Sequence, residues 1–440
     1  MIGEVGNKKM FKYFQNMIFA AFVLLFSASC RNNNETSQNT LLFWCSNNTH
    51  EIEFAKLTTE KWNKNNKDVR IRYQPVPEGQ SSEEIILAAV VGKTTPDIYS
   101  NMWQGDVEAY AQAGVLIPLD TLEGFMEFLY DRCDSSVVEE IRSLDGHIYQ
   151  IPWKINPIML IYNEKIINDL NLSSAPKTYT EFFNASEKFQ KDTDSDGYVD
   201  RWFGYSEVLV TWWQRFFDFY PLYLASSGGA PLIKDNKAFF NNEHAVNVFS
   251  FLRKLYEKNY FSKERLSARQ DVFLASVIAT RFTGPWEISH AEKYKQDDFA
   301  YNFSSIPVPD THDGPIYTYG DPKNIVIFNS CKNPAAAWEY LKTMIDLKGD
   351  LELLETTNQL PRRKNLDINL FYIDYFNKNP KMKTFALQSK YVKGTDASPV
   401  LKEVFDLISQ QYEACVIYGM KTPEQAIKDA ADAVNLLFLN

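Results

Sequence analysis

The 440-residue chain is poor in the residues that build metal and redox sites. Its five cysteines are Cys30, Cys45, Cys133, Cys331 and Cys415, with no CxxC pair and no cysteine–histidine cluster, which excludes the usual zinc spacings. The five histidines, His50, His147, His244, His290 and His312, are isolated and read as bystanders. There is no GxSxG elbow, no HExxH pair and no glycine-rich phosphate loop, so the common signatures of nucleophilic, metal-assisted and phosphate-handling catalysis are missing. A carboxylate pair for glycoside hydrolysis stays open, because its separation is set only in three dimensions and 56 acids are present. Positive charge is in deficit: 46 basic residues give a net charge of −10, which repels phosphate backbones and argues against a nucleic-acid partner. Long apolar runs are also lacking. The one run, Met17 to Phe26, is far too short for the ~30 Å of hydrocarbon in a bilayer.

What the chain does hold is aromatic: 31 Phe, 24 Tyr and 9 Trp, enough to serve cores, interfaces or stacking platforms for flat ligands. Its length fits two or three domains, at ~100–200 residues each, and a core that needs no disulfide. Cys45, Cys133, Cys331 and Cys415 therefore read as buried thiols.

Lys8, Lys9 and Lys12 precede the short apolar run and Ser27-Ala28-Ser29-Cys30 follows it, the layout of a signal peptide over residues 1–29. The small residues ending in Cys30 resemble the lipobox of bacterial lipoproteins, with Ser27 where Leu is usual. That resemblance implies an acylated, for instance palmitoylated, Cys30 that anchors the mature chain to a membrane, facing the periplasm or exterior. Residues 30–40, polar and without apolar period, read as a flexible tether.

Leu41 to Cys45 reads as a buried strand feeding the polar loop Ser46-Asn47-Asn48. Helical spacing of Ile52, Ala55, Leu57 and Trp62 follows, then an alternating strand, Val69 to Tyr73. A helix from Ser82 to Val91, with Ser81 or Ser82 as N-cap, ends near Gly92 and leads into Pro96-Asp97-Ile98-Tyr99. Strands and helices alternating at this spacing predict parallel α/β units, with ligands beyond the carboxyl ends of the strands. Ser46, Asn47, Asn48, Ser100, Asn101 and Trp103 fall on that edge. The alternation restarts near Ile158, implying a second α/β lobe. The last helix opens on Thr422, with Pro423 at N1 and Gln425 closing a capping box, and Ile427, Ala430, Val434 and Leu437 form its apolar stripe.

Seven short motifs resemble, in order, the extracellular solute-binding proteins of ATP-binding-cassette (ABC) sugar importers, of the maltodextrin-binding type. They are Thr95-Pro96-Asp97-Ile98-Tyr99 with Gly114 to Asp120; Asp145 to Pro152 with Ile161 to Lys165; and Ala175 to Phe182, where Tyr179 stands for the commoner Trp. Gly284-Pro285-Trp286-Glu287, Lys332 to Trp338, Leu360-Pro361-Arg362 and the helix from Lys421 to Asn435 complete the series. The resemblance implies a two-lobed, type II periplasmic-binding-protein-like fold with a hinge and a ligand cleft. One lobe would be 41–152 plus about 322–360, the other 153–321 plus about 361–440. It also implies a non-enzymatic, monomeric receptor that delivers carbohydrate to an ABC permease.

A sugar offers an apolar face and a hydroxyl rim, so its site needs aromatic plates edged by polar groups. Trp286, which matches the family's stacking tryptophan, is the first candidate; Trp103, Trp153 and one of Trp212 and Trp213, here Trp213, are the others. Phe216, Phe217 and Phe219 read as helix core, and Trp44, Trp62 and Trp338 as core too. Strand-end position and resemblance together add Ser46, Asn47, Asn48, Glu78, Asn101, Gln104, Tyr319, Asp321 and Arg362 as polar partners.

Asp192-Thr193-Asp194-Ser195-Asp196-Gly197 followed by Asp200 reproduces the first half of an EF-hand loop, with Phe203 where its bidentate Glu should stand. The residues support either a structural calcium on Asp192, Asp194, Asp196 and Asp200 or an Asp/Gly-rich turn. No cofactor is expected for function itself. A glycan-active enzyme and a sensory or interaction lipoprotein are the competing classes. Release of reducing sugar would mark the first, and tryptophan fluorescence indifferent to any sugar the second.

Overall fold

The computed structural model describes residues 39–77, 81–189, 191–266 and 271–439. Cys30 and Glu78 therefore lie outside the described residues, as do the signal-like segment and nearly all of the tether. Thirteen strands are present among them: β1 (Thr40–Cys45), β2 (Arg70–Pro75), β3 (Ile98–Trp103), β4 (Ile151–Lys154), β5 (Met159–Asn163), β6 (Trp202–Tyr205), β7 (Ile233–Lys234), β8 (Lys237–Ala238), β9 (Ile278–Thr283), β10 (Tyr301–Ser304), β11 (Thr318–Tyr319), β12 (Lys323–Ile327) and β13 (Val392–Lys393).

Two sheets organise the chain. The first runs β2-β1-β3-β12-β4 and the second β10-β5-β9-β6. In the first, β1 pairs in parallel with both β2 and β3, as the strand–helix alternation predicts. β12 is antiparallel to both its neighbours. The second sheet departs further from the parallel expectation: β5 is antiparallel to β9 and β10, and only β6 and β9 pair in parallel. One cause serves both sheets. β5 and β12 each enter directly from the hinge, so each runs against strands that reach the sheet through a helix.

Side-chain alternation then builds the cores. In the first sheet Leu41, Phe43, Cys45, Ile325 and Ile327 face the helices Phe125–Arg132 and Pro334–Met344, while Trp44, Tyr99, Val326 and Phe328 face the helix Ser82–Gly92. In the second sheet Leu160, Phe203 and Phe282 face the helices Phe219–Ser227, Glu243–Glu257 and Leu401–Tyr412, and Met159, Ile161 and Phe303 face the other side. Cys45, Cys133, Cys331 and Cys415 are buried, free thiols.

Helix ends follow the local chemistry. Ser81 caps its helix by accepting from Glu84 N–H, but the left-handed residue that stops it is Lys93, one beyond Gly92. Thr422 Oγ1 accepts from Gln425 N–H at 3.2 Å. The reciprocal half of that capping box is absent: the Gln425 amide donates forward to Asp429 at 2.6 Å.

Three chain crossings lie side by side at the hinge. Ile155 N–H donates to Leu360 O at 2.9 Å, Asn156 N–H donates to Gly320 O at 2.5 Å, and Arg362 N–H donates to Trp153 O at 2.7 Å. Arg132, fully buried, clamps them by donating to Pro152 O and Trp153 O and pairing with Asp350 at 2.7 Å. Such an arrangement is costly to break, because loss of one partner strands a buried charge. Among the described residues no helix is long and apolar enough to cross a membrane.

Candidate functional site

A cavity of about 1020 Å³ lies beyond the carboxyl ends of β1, β6 and β9, with Asn48 and His50 on one side and Ser206, Phe217 and Trp286 on the other. Asn48 reaches it because its side chain caps the helix Thr49–Asn65, its Oδ1 accepting from His50 N–H at 2.9 Å. Trp286 reaches it from the first turn of the helix Trp286–Tyr294, immediately after β9. Gly284 makes this possible: a Cβ there would collide with the Trp286 ring. The indole is partly buried, and Phe217 meets it edge-on at 6.2 Å.

A charged wall stands beside the indole. Arg281, on β9, bonds Asp271 at 2.9 Å and Glu287 at 2.6 Å, and His290 lies 3.7 Å from Asp271. Burial opposes ionisation of Asp271, yet the Arg281 guanidinium and two backbone N–H groups hold its carboxyl below the ordinary value. For Glu287 burial dominates and pushes the carboxyl up despite Arg281. The ligand atoms of Asp271, Glu287 and His290 come within 4.8 Å of one another, as in a metal cluster, but the cation held among them is Arg281. The result is a fixed set of donors and acceptors at the rim of an aromatic plate.

Of the residues expected at the site, the cavity brings together Asn48 and Trp286. Ser46 and Asn47 share the Asn48 loop, with the Ser46 hydroxyl accepting from Asn48 N–H at 3.2 Å. The others are elsewhere. β3 continues through Ser100 and Asn101 to Trp103, because nothing in that stretch breaks a strand, so Asn101 and Trp103 are strand residues and not a terminal loop. Trp103 is 2% exposed and sits in the core of the second sheet. Gln104 is buried, donating to Thr395 O at 3.2 Å. Trp153 is 1% exposed, wedged against Phe54 at 6.0 Å and covered by the Lys154 ammonium, leaving no face on which a sugar could lie. Tyr319 is wholly buried, its hydroxyl accepting from Trp103 Nε1 at 3.1 Å, and Asp321 pairs with Lys323 at 3.8 Å. Trp213 is 40% exposed and lies outside the cavity lining, whereas its neighbour Trp212 packs into the core. Arg362 pairs with Glu140 at 2.9 Å in a separate pocket.

The cavity also uses residues that the sequence reading set aside. His50 and His290 were bystanders there and Phe217 was core, yet all three line it. His290 carried one usable signal, being one helical turn from Trp286. Asp271 and Arg281 carried none: they lie ten residues apart, and the turn that leads into β9 folds one back onto the other.

In the acidic loop, carboxylates of Asp192, Asp194 and Asp200 come within 4.8 Å of one another. Asp196 does not join them; its Oδ1 accepts from Tyr198 N–H at 2.8 Å. Phe203, at the twelfth position, is buried in the core, so the loop has no closing bidentate ligand.

Two sheets joined by three crossings, with an aromatic-and-polar cavity against the ends of strands from both, form the two-lobed architecture in which a solute can be held between lobes. The chain belongs to the bacterial extracellular solute-binding protein family, matched over residues 58–384. It is 24% identical over 316 residues to the maltotriose-binding protein of Pyrococcus abyssi (strain GE5 / Orsay), covering 70% of this chain and 63% of that protein. The match thus spans less than two thirds of that relative's length. An uncharacterized protein of Listeria monocytogenes EGD-e has the same fold, with TM-score 0.78 and 24% identity over 91% of this chain and 100% of that one. So does the sugar-binding protein MalE of Xanthomonas citri, with TM-score 0.74 and 17% identity over 91% and 97% of the two chains.

Proposed function

We propose that the protein is the substrate-binding component of an ABC importer for an oligosaccharide, held in the cavity at Trp286. The observation that carries this reading is the partly exposed indole beside a wall of bonded donors and acceptors. An apolar sugar face and its hydroxyl rim need both at once. A volume of about 1020 Å³ lies at the upper end of the range for small-molecule sites and admits more than one sugar ring. Similar proteins named for binding maltotriose and sugar point the same way.

Mechanism follows from the cavity's two-sided lining. Asn48 and His50 come from one half, 41–152 plus about 322–360, and Trp286 with its neighbours from the other, 153–321 plus about 361–440. A ligand touching both sides favours the closed arrangement by its differential affinity, and a permease that reads the closed form receives the sugar. Acylated Cys30 would hold this monomeric receptor at the membrane, and the Asp192–Asp194–Asp200 loop would take a weakly bound structural calcium. Isothermal titration with maltooligosaccharides of increasing length, against glucose, tests the sugar reading. Tighter binding of the longer chains is expected, and no heat from any saccharide would overturn it.

A further inference from the structure

A second pocket, of about 190 Å³, opens beside the hinge and shares no residue with the Trp286 cavity. A single buried water needs roughly 10–15 Å³ of such space, so there is room for a small polyatomic ion. Five cations line it, and three are already engaged. Arg363 pairs with Asp350 at 2.6 Å, Lys364 donates to Tyr130 O at 2.8 Å, and Lys390 pairs with Asp367 at 2.8 Å.

The other two keep donors unmet among the described residues. Arg362 is 5% exposed; its Nη2 bonds Glu140, but its Nη1 is buried with no hydrogen-bond partner among the described residues. The Lys393 ammonium makes no hydrogen bond or ion pair among them; it lies 5.6 Å from the Tyr317 ring, and its charge acts on the buried Asp396 carboxyl. A buried guanidinium donor left unmade is unfavourable, and a native structure rarely leaves one without a reason. Two acids also line the pocket: Glu140, bonded by Arg362 and by Gln104 Nε2 at 3.3 Å, and the exposed Asp134. Counting Asp350, Asp367 and Asp396, with Arg132 that shares Asp350, six cations meet five carboxylates in a protein whose net charge is −10. The local excess is positive against the sign of the whole chain, which is the setting that recruits an anion.

We propose that this hinge pocket binds a small oxyanion of the phosphate type, held by Arg362 and Lys393. Guanidinium and ammonium donors converging on one anion make the stronger, charge-assisted kind of hydrogen bond. Lys393 lies on β13, whose carbonyl accepts from Gly320 N–H at 2.9 Å, and Arg362 N–H bonds Trp153 O at 2.7 Å. The anion would therefore touch two of the three crossings.

The test is a thermal melt and a calorimetric titration of the whole protein with inorganic phosphate, against sodium chloride at equal ionic strength. A saturable rise in melting temperature with phosphate is expected. Lys393→Gln is the informative variant, because that side chain makes no bond whose loss would unfold the hinge; it should weaken phosphate binding at least tenfold. Trp286→Ala should leave the phosphate response intact, which separates this site from the sugar reading. Equal responses to phosphate and chloride, or a Lys393→Gln variant that binds phosphate like the parent, would overturn the proposal.

Discussion

The indole of Trp103 lies 4.9 Å, centroid to centroid, from that of Trp212. Trp103 ends a strand of the first sheet, and Trp212 opens a short 3-10 turn packed on the second. The contact therefore carries a side chain of one unit into the core of the other. Phe216 at 5.4 Å and the Tyr319 hydroxyl complete the socket, and Lys402 pairs with Asp106 at 2.7 Å above it.

Trp103→Ala should thus destabilise the fold by about 3–5 kcal/mol, the cost of emptying a large buried aromatic site. Chemical denaturation with both lobes followed by fluorescence checks this. A loss below about 1 kcal/mol would show that the junction is loosely packed.

Trp286→Ala should raise the Kd for the bound saccharide about 30-fold or more, the effect of removing a roughly 2 kcal/mol anchor, with little change in Tm. The indole is only partly buried, so the core loses little. Calorimetry on the variant is decisive: parental affinity would remove Trp286 from the site.

Asp396 accepts from Leu232 N–H at 2.7 Å and Ile233 N–H at 3.0 Å, and burial pushes its carboxyl up to about 6. A raised carboxyl favours the folded state while protonated. Its contribution is complete below the ordinary value of 3.8 and is lost as pH rises through about 6. Asp396→Asn stays neutral and keeps an acceptor oxygen for both N–H groups. It should therefore stabilise the protein by about 1–2 kcal/mol at pH 8, after allowance for solvent screening, and by nothing at pH 3.5. Parallel urea titrations at the two pH values read the difference.

In the acidic loop, the Thr193 hydroxyl and N–H hold the Asp200 carboxyl below its ordinary value, so the group is ionised and available to a cation. Millimolar calcium should raise Tm by a degree or more and chelator should reverse it. Asp194→Asn should abolish the response. Sugar affinity should be unmoved, since none of these acids lines the cavity.

Much of the architecture was legible in one dimension. The run Leu41 to Cys45, the Ser81 and Thr422 caps and the Gly-Pro-Trp turn are local devices, and each forms where its residues place it. Asn48 and Trp286, which both line the cavity, were picked out on different grounds: Asn48 by its place in the loop after a strand, and Trp286 by the resemblance of its Gly-Pro-Trp motif. The burial of Trp153 and Trp103 was not legible, because an exposed plate and a buried ring look alike in sequence. What separates them is Phe54 and Lys154 in one case, and Trp212 and Tyr319 in the other, all contributed from elsewhere in the fold.

By itself, then, the order of the chain settled the α/β alternation, the restart near Ile158 and the family to which the protein belongs. The first two depend on period, caps and turn chemistry, which act over a few residues, and the family on the resemblance carried by seven ordered motifs. Tertiary structure alone decided the reversal of β5 and β12 and the removal of Arg362 from the cleft to a pocket of its own. Each depends on which distant segments the hinge brings side by side, and no local spacing encodes that.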